Sequence, residues 1–308
     1  MKGAAILLML THHLFAFPEW ILPGNEFSGV LMHGRPLAAY AGEFGKICVA
    51  IYALLTGVAM CYAYRDGALR ESYARTLKRL PRFYVGYWAA LALLVPVLAA
   101  VGETSFSVKE ILLNLSGLRT SYCPFAWYVR FYAATVILFP LWVWLYDALR
   151  RRMRWSAAAY GCLLLALWLA YRLLNRAHIP GKIYFIEYLT YTPMVVTGYA
   201  IAREGWDERA AGALERLPRW ARAALCVGAI ALCALCRSRI RSVAAFNLDV
   251  LYAAAAVFAA WRLLDALNCR PLNAALALLG RTSAELWYLH AVFFMGSWPI
   301  QRAAYWPR

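Results

Sequence analysis

About nine apolar runs alternate with short polar segments along the chain, each long enough for a helix to cross a hydrocarbon layer. They cover approximately 3–20, 45–64, 83–102, 125–146, 157–175, 186–202, 221–237, 247–264 and 282–300. This pattern predicts an all-α, polytopic transmembrane helix bundle. The longest connections are 18–44, 65–82, 103–124 and 203–220, and none reads as a soluble domain, a low-complexity linker or an internal repeat. Within 103–124, the stretch SVKEILLNLSGL places Ile111, Leu112, Leu115 and Leu118 on one side of a short helix suited to a membrane surface.

Composition agrees with a bilayer as the solvent. Of 308 residues, 63% are hydrophobic and 16% charged, and the mean hydropathy of +0.54 exceeds what a soluble domain of this length can hide. The formal net charge is +16. Most of the 32 lysines and arginines fall in alternate segments, those containing Lys2, Arg65–Arg82, Arg150–Arg154, Arg203–Arg222 and Arg262–Arg281. That bias predicts a cytoplasmic N-terminus. RSRIRS at 237–242 fits it least well. The basic residues flank apolar runs and do not line a soluble face, which excludes a nucleic-acid module as the source of the charge.

The first run does not read as a cleaved signal. Only Lys2 precedes it, and Thr11, His12 and His13 interrupt its apolar stretch. Of eight cysteines, only Cys123 falls on the predicted outer side, so no disulfide partner is in view. Cys233 and Cys236 have the spacing of half a metal site, but no second pair or histidine accompanies them, and no metal centre is expected.

The histidines inside apolar runs are the candidate chemistry. Lys2 and His13 share a helix face, with His13 roughly 16 Å further along the axis, near mid-bilayer, while His12 points about 100° away. His290 lies about 13 Å from Arg281 at the inner edge of the last run, a comparable depth, so one cavity can hold both rings. An ionisable group at that depth is a functional-site hypothesis. Withdrawal from water favours the uncharged imidazole. Such rings suit a general base, a proton relay, or hydrogen bonds that hold a bundle together.

Five stretches, in order, resemble the acyltransferase-3 family of integral membrane enzymes. Lys2, ten residues and His13 resemble its basic-x10-His signature. FGKICVAIYALLTG, Phe44 to Gly57, is similar to its second helix, with Thr56 in place of a serine. YARTLKRLPRFY, Tyr73 to Tyr84, resembles its basic inner loop. FAWYVRFYAATVILFP carries Trp127 and Pro140 at the family's spacing, and ELWYLHAVFF, Glu285 to Phe294, resembles its late Tyr-Leu-x-His helix. Where one branch of the family has a glutamate after the tryptophan, this chain reads Arg130-Phe131-Tyr132-Ala133. The family's usual short leader and final helix would be missing from a single domain spanning 1–308.

The resemblance implies a multi-pass enzyme of the bacterial inner membrane that moves an acyl group, acetyl by family habit, from cytoplasmic acyl-CoA to a hydroxyl of a surface glycan or lipid-linked sugar. Acyl-CoA is a co-substrate, and no permanently bound cofactor is implied. His13 is then the catalytic base with His290 beside it. Lys2, Arg75, Lys78, Arg79 and Arg82 supply charge for the phosphates of coenzyme A, although positive-inside anchoring explains the same residues. Thr56, Trp127, Tyr128, Arg130 and Glu285 are candidates for the cavity or the acceptor.

Other ionisable residues near outer ends of runs, Glu43, Lys46, Glu187 and Asp249, suit orientation of an imidazole or contact with a sugar. Trp20, Trp127, Trp287, Trp298 and Tyr305 suit an interfacial aromatic belt or sugar stacking. His33 and His178 fall in connections and are expected to be solvated. The competing reading from another class is a transporter or flippase with His13 and His290 as relay groups. Repeated halves with matched breaks mark many transporters, and prolines 96, 140 and 193 occupy no matched positions.

Overall fold

The computed structural model describes residues 1–17, 25, 26, 30–32, 34–65, 69–100, 106–294, 306 and 307. Trp20, His33, Trp298 and Tyr305 lie outside the described residues. In chain order the helices are α1 (Lys2–Phe15), α2 (Leu37–Gly45), α3 (Cys48–Arg65), α4 (Leu69–Leu77), α5 (Arg79–Ala100), α6 (Val108–Leu115) and α7 (Tyr128–Arg152). They continue as α8 (Ser156–Arg176), α9 (Lys182–Glu204), α10 (Trp206–Leu214), α11 (Arg219–Arg239), α12 (Asp249–Leu267), α13 (Arg270–Arg281) and α14 (Ser283–Phe294). Each predicted apolar run is occupied largely by helix over its described residues. Among the described residues, strand is confined to two-residue ladders: β1 (Asn25–Glu26) with β6 (Trp306–Pro307), β2 (Leu31–Met32) with β3 (Arg35–Pro36), and β4 (Ser242–Val243) with β5 (Phe246–Asn247).

Among the described residues, five helical stretches combine the length and apolar composition of a bilayer span: Leu37–Tyr64, Phe125–Arg152, Ser156–Arg176, Arg219–Arg239 and Asp249–Leu267. The other runs are helical but shorter or more polar. α1 and α14 have 14 and 12 residues, α5 opens on Arg79 and Arg82, and α9 carries Lys182, Glu187, Arg203 and Glu204. Leu165, Leu169, Leu173, Leu232 and Leu235 are exposed on α8 and α11. Lipid-facing surface explains such residues, since hydrocarbon does not penalise them.

The chain divides into two compact units, one built from 49–78 and 134–274, the other from 2–48, 79–133 and 275–308. In the first, α8 packs on α9 and α11 on α12. A methyl group added at Gly57 on α3 would overlap the carbonyl oxygen of Val195 on α9, and one added at Gly198 on α9 would overlap that of Leu54 on α3. Two helices therefore approach backbone to backbone through reciprocal glycines, the small-residue contact that membrane helices use in place of a hydrophobic driving force. Arg237 on α11, 3% exposed, pairs with Asp249 at 2.6 and 2.9 Å. One of the three arginines of RSRIRS is thus matched by a neighbouring carboxylate.

In the second unit α1 packs against α2 and α14. Glycines again set the approach: a methyl at Gly42 would sit 2.7 Å from the Ala16 nitrogen, and one at Gly45 would overlap the Leu8 carbonyl oxygen. The amphipathic helix expected in 103–124 is α6. Ser107 caps it by accepting the Glu110 N–H at 3.1 Å, and Ile111, Leu112, Leu115 and Leu118 are exposed as the surface reading requires. Its last carbonyls are taken by one face of α5. The Tyr87 hydroxyl donates to Asn114 O at 2.9 Å, the Trp88 indole to Leu115 O at 2.8 Å and the Tyr84 hydroxyl to Ser116 O at 2.8 Å. Asn114 O also accepts the Gly117 N–H at 3.0 Å, so side chains of α5 and the backbone turn share the end of α6.

Candidate active site

All the groups described first belong to the second unit. α1 begins at Lys2, which is exposed, and reaches His12 and His13 in its last turn. One step of about 100° separates the two imidazoles, and the structure gives them different surroundings. The His12 Nδ1–H donates to the carbonyl oxygen of Gly42 on α2 at 2.8 Å. A carbonyl can only accept, so this bond fixes the tautomer of His12 and ties it to the α1–α2 packing.

His13 turns instead toward α14. Its ring centroid lies 4.8 Å from that of His290 and 4.7 Å from that of Phe125, which it meets edge-on, while the Phe17 ring stacks at 5.9 Å. His290 is 3% exposed and itself 5.2 Å from Phe125. Three rings from α1, α14 and the turn before α7 thus form one cluster, with aromatic carbon excluding water from the two imidazoles.

α14 holds this cluster together. The His290 Nδ1–H donates to Trp287 O at 2.5 Å, which leaves the lone pair on Nε2. The Trp287 indole donates to Phe125 O at 2.9 Å, fixing the 3-10 turn Pro124–Trp127 that presents Phe125. Beside it the Cys123 thiol donates to Tyr288 O at 3.7 Å. Burial pushes that thiol up to about 11, outweighing the Ala126 and Phe125 N–H groups that act in the opposite direction. Cys123, expected to face outward, is buried, and it is a free thiol.

Toward the start of α5, Arg79 and Arg82 are exposed and one turn apart. The Arg79 guanidinium acts electrostatically on the Tyr132 phenol, and the Phe83 ring lies 4.4 Å from Tyr132 and 6.0 Å from Tyr288. Tyr288 is 3% exposed and its hydroxyl meets no hydrogen-bond partner among the described residues.

The other sequence candidates are distributed as follows. Trp127 and Tyr128 flank the cluster, with Tyr128 5.2 Å from Trp287. The Arg130 guanidinium donates to Leu118 O at 3.0 Å. Glu285 is exposed on the first turn of α14. Thr56, Arg75 and Lys78 belong to the first unit: the Thr56 hydroxyl donates to Tyr52 O at 2.8 Å within its own helix, Arg75 reaches Ser72 Oγ at 3.2 Å, and Lys78 is exposed. His178 is exposed, as expected for a connection. Asp249 is committed to Arg237. Sequence reasoning did not single out Phe125, Phe17 or Gly42, or the double duty of Trp287. Phe125 stood within the quoted stretch FAWYVRFY, but an aromatic residue there carries no signal of what it touches.

With a glutamate missing from the α7 stretch, backbone carbonyls orient these imidazoles. Gly42 O serves His12 and Trp287 O serves His290. The arrangement can take up a proton in a dry site and return it, the requirement of acyl transfer to a hydroxyl. Searches among curated proteins and among solved structures give no match. The family model for the acyltransferase domain of acyltransferase-3 matches residues 1–307. The chain therefore belongs to the acyltransferase-3 family, as a multi-pass membrane acyltransferase.

Proposed function

We propose that this protein is an O-acyltransferase that moves an acyl group, acetyl in the simplest case, from acyl-CoA to a hydroxyl of a surface glycan or lipid-linked sugar, in the bacterial inner membrane with its N-terminus in the cytoplasm. The observation that carries the reading is the pairing of His13 with His290 at 4.8 Å inside an aromatic wall. His13 takes the acceptor's hydroxyl proton as the oxygen attacks the thioester carbon. The tetrahedral intermediate then expels the coenzyme A thiolate, which recovers the proton from His13 and leaves as the thiol. His290, held in one tautomer by Trp287 O, fixes the position of the pair and steadies the charge that His13 acquires. Arg79 and Arg82 engage the phosphates of coenzyme A, with Lys2, in the same unit, adding to the positive field. The chain of aromatic side chains beside Arg79, Phe83, Tyr132 and Tyr288, offers a dry lining for the thioester arm.

The test uses purified full-length protein in lipid nanodiscs with acetyl-CoA, following release of coenzyme A thiol. Wild type should release thiol above the uncatalysed rate. His13→Ala should lose about 100-fold or more, the usual worth of a positioned base, while His12→Ala should retain most activity because its ring is engaged with Gly42 O. Equal loss in both variants would show a packing role for the pair and remove His13 as the base.

A further inference from the structure

A second site lies in the first unit, lined by none of the candidate residues named above. The cavity, about 320 Å³, is walled by α8, α9 and the β4–β5 hairpin. Three aromatic side chains line it, Trp168, Tyr171 and Phe246, together with Thr190, Ser242 and Asn247.

The wall is built at a conformational cost. The hairpin turns through Ala244 and Ala245, whose φ values of 49° and 66° lie in the left-handed region. A two-residue hairpin turn with both residues there normally takes asparagine and glycine, because a Cβ crowds the backbone. Here the strain is held by the Trp168 indole, which donates to Ala244 O at 2.9 Å, and by Leu248 N–H donating to Arg241 O at 3.0 Å. The Arg172 guanidinium lies 5.8 Å from the Trp168 ring centroid and helps fix the indole. Backbone strain of this kind concentrates at ligand clamps.

The lining also has hydrogen-bonding capacity left over. Asn247 Oδ1 accepts the Asp249 N–H at 2.9 Å, but its amide N–H groups donate to no described residue. The Tyr171 and Ser242 hydroxyls likewise make no hydrogen bond among the described residues. Thr190 donates to Ile186 O at 2.7 Å and keeps its lone pairs for a guest. No acidic or basic side chain lines the cavity. That argues against a phosphate or carboxylate ligand, coenzyme A included, and the number of hydroxyl and amide groups argues against a hydrocarbon chain. Flat rings beside neutral donors and acceptors, in a cavity at the small end of the ligand-pocket range, match a pyranose. Its C–H faces stack on aromatic rings and its hydroxyls both donate and accept.

We propose that this cavity binds an uncharged pyranose ring, a sugar unit of the acceptor glycan, as a docking site distinct from the imidazole pair. The choice of a glycan rests on the acyltransferase reading above; the cavity's chemistry does not. The test is saturation-transfer NMR of full-length protein in nanodiscs prepared without glycoside detergents. The probes are the methyl glycosides of glucose, galactose, mannose, rhamnose and N-acetylglucosamine, with no acyl-CoA present. At least one probe should receive transfer on its ring protons. Trp168→Ala should abolish the signal. Tyr171→Phe and Asn247→Leu, which keep the fold by keeping the side-chain bulk, should each weaken affinity about fivefold. Competition by glucosyl diacylglycerol in the bilayer would assign the ring to a lipid-linked acceptor, and lack of competition to a soluble glycan chain.

No transfer to any probe from folded wild type, or equal transfer in all three variants, overturns the proposal. Because binding is read without the thioester, the two readings fail separately. Sugar binding with no coenzyme A release keeps the cavity and removes the transferase chemistry, whereas His13-dependent release with no sugar binding does the reverse.

Discussion

The imidazoles of His13 and His290 lie 4.8 Å apart, centroid to centroid, although α1 and α14 come from opposite ends of the chain. Their pairing makes the two rings unequal partners. His290 has its Nδ1 proton committed to Trp287 O and is 3% exposed, whereas His13 is half-buried and closes the cluster from α1.

That asymmetry predicts how His290 variants divide. Asparagine can place an amide N–H where the imidazole Nδ1–H donates to Trp287 O, but it cannot accept a proton. If His290 only positions His13, His290→Asn should retain a substantial part of kcat, and His290→Ala should lose about tenfold more with little change in KM. Loss of about 100-fold or more in both variants would instead give His290 a share of the proton transfer. Steady-state kinetics of coenzyme A release decide between the two.

Arg79 and Arg82 are exposed and adjacent on one helix face, so their removal should not disturb packing. Charge-assisted contacts to phosphate are stronger than neutral ones. Arg79→Gln with Arg82→Gln should raise the KM for acetyl-CoA about tenfold at unchanged protein level, and the effect should shrink for a short acyl thioester that lacks phosphate. An unchanged KM would leave these arginines as topology anchors alone.

Much of this arrangement was legible in the sequence, and the boundary has a physical cause. A bilayer demands long unbroken apolar runs, so the described part of each run predicted from hydropathy is largely helical. The apolar stripe of α6 is a local signal, and it was readable. That one cluster holds both His13 and His290 agrees with the sequence reading, but Arg281 closes α13 and His290 belongs to α14, so the count from Arg281 does not run along one helix. What escaped was decided by contacts distant in sequence. Nothing in LTHHLF tells which imidazole finds Gly42 O, and nothing in CPFAW says that Phe125 faces two histidines. The β4–β5 hairpin was equally invisible, since Ala244-Ala245 lacks the asparagine and glycine that announce such a turn.

Cysteine labelling separates the buried thiol from an accessible one. Cys123 is buried and its thiol is pushed up to about 11, so near pH 8 only about one molecule in a thousand carries the reactive thiolate. Cys269, between α12 and α13, is exposed. A membrane-impermeant maleimide should modify Cys269 at least about 100-fold faster than Cys123, and from the cytoplasmic side if the N-terminus is inside. Peptide mass spectrometry after labelling of inverted and right-side-out vesicles reads both the rates and the side.

The reciprocal contact of Gly57 with Val195 O and Gly198 with Leu54 O leaves no room for a methyl group on either helix. Because the obstruction is backbone, α3 and α9 must separate to admit one, and overpacking of this kind costs about 1–3 kcal/mol or more. Gly57→Ala and Gly198→Ala should each lower the unfolding temperature in detergent. Gly161→Ala on α8, where nothing lies within 4 Å of the added methyl, should leave it unchanged. The double variant should cost less than the sum of the singles, since one separation of the helices relieves both overlaps.

The buried ion pair of Arg237 and Asp249 yields a prediction of opposite form. Arg237 is 3% exposed and grips both carboxylate oxygens, at 2.6 and 2.9 Å. Removing one partner strands a charge in a low-dielectric setting, which costs about 3–5 kcal/mol, whereas replacing both by apolar groups is often neutral. Asp249→Leu should therefore destabilise strongly and Arg237→Leu by a comparable amount, while the double variant should recover most of the wild-type unfolding temperature. Asp249 adjoins Asn247, which accepts its backbone N–H and lines the α8–α9 cavity, so sugar binding provides a second readout. It should weaken in Asp249→Leu and return in the double variant if the pair serves to hold the hairpin in place. Binding that stays lost while stability recovers would show that the apolar pair does not restore the hairpin.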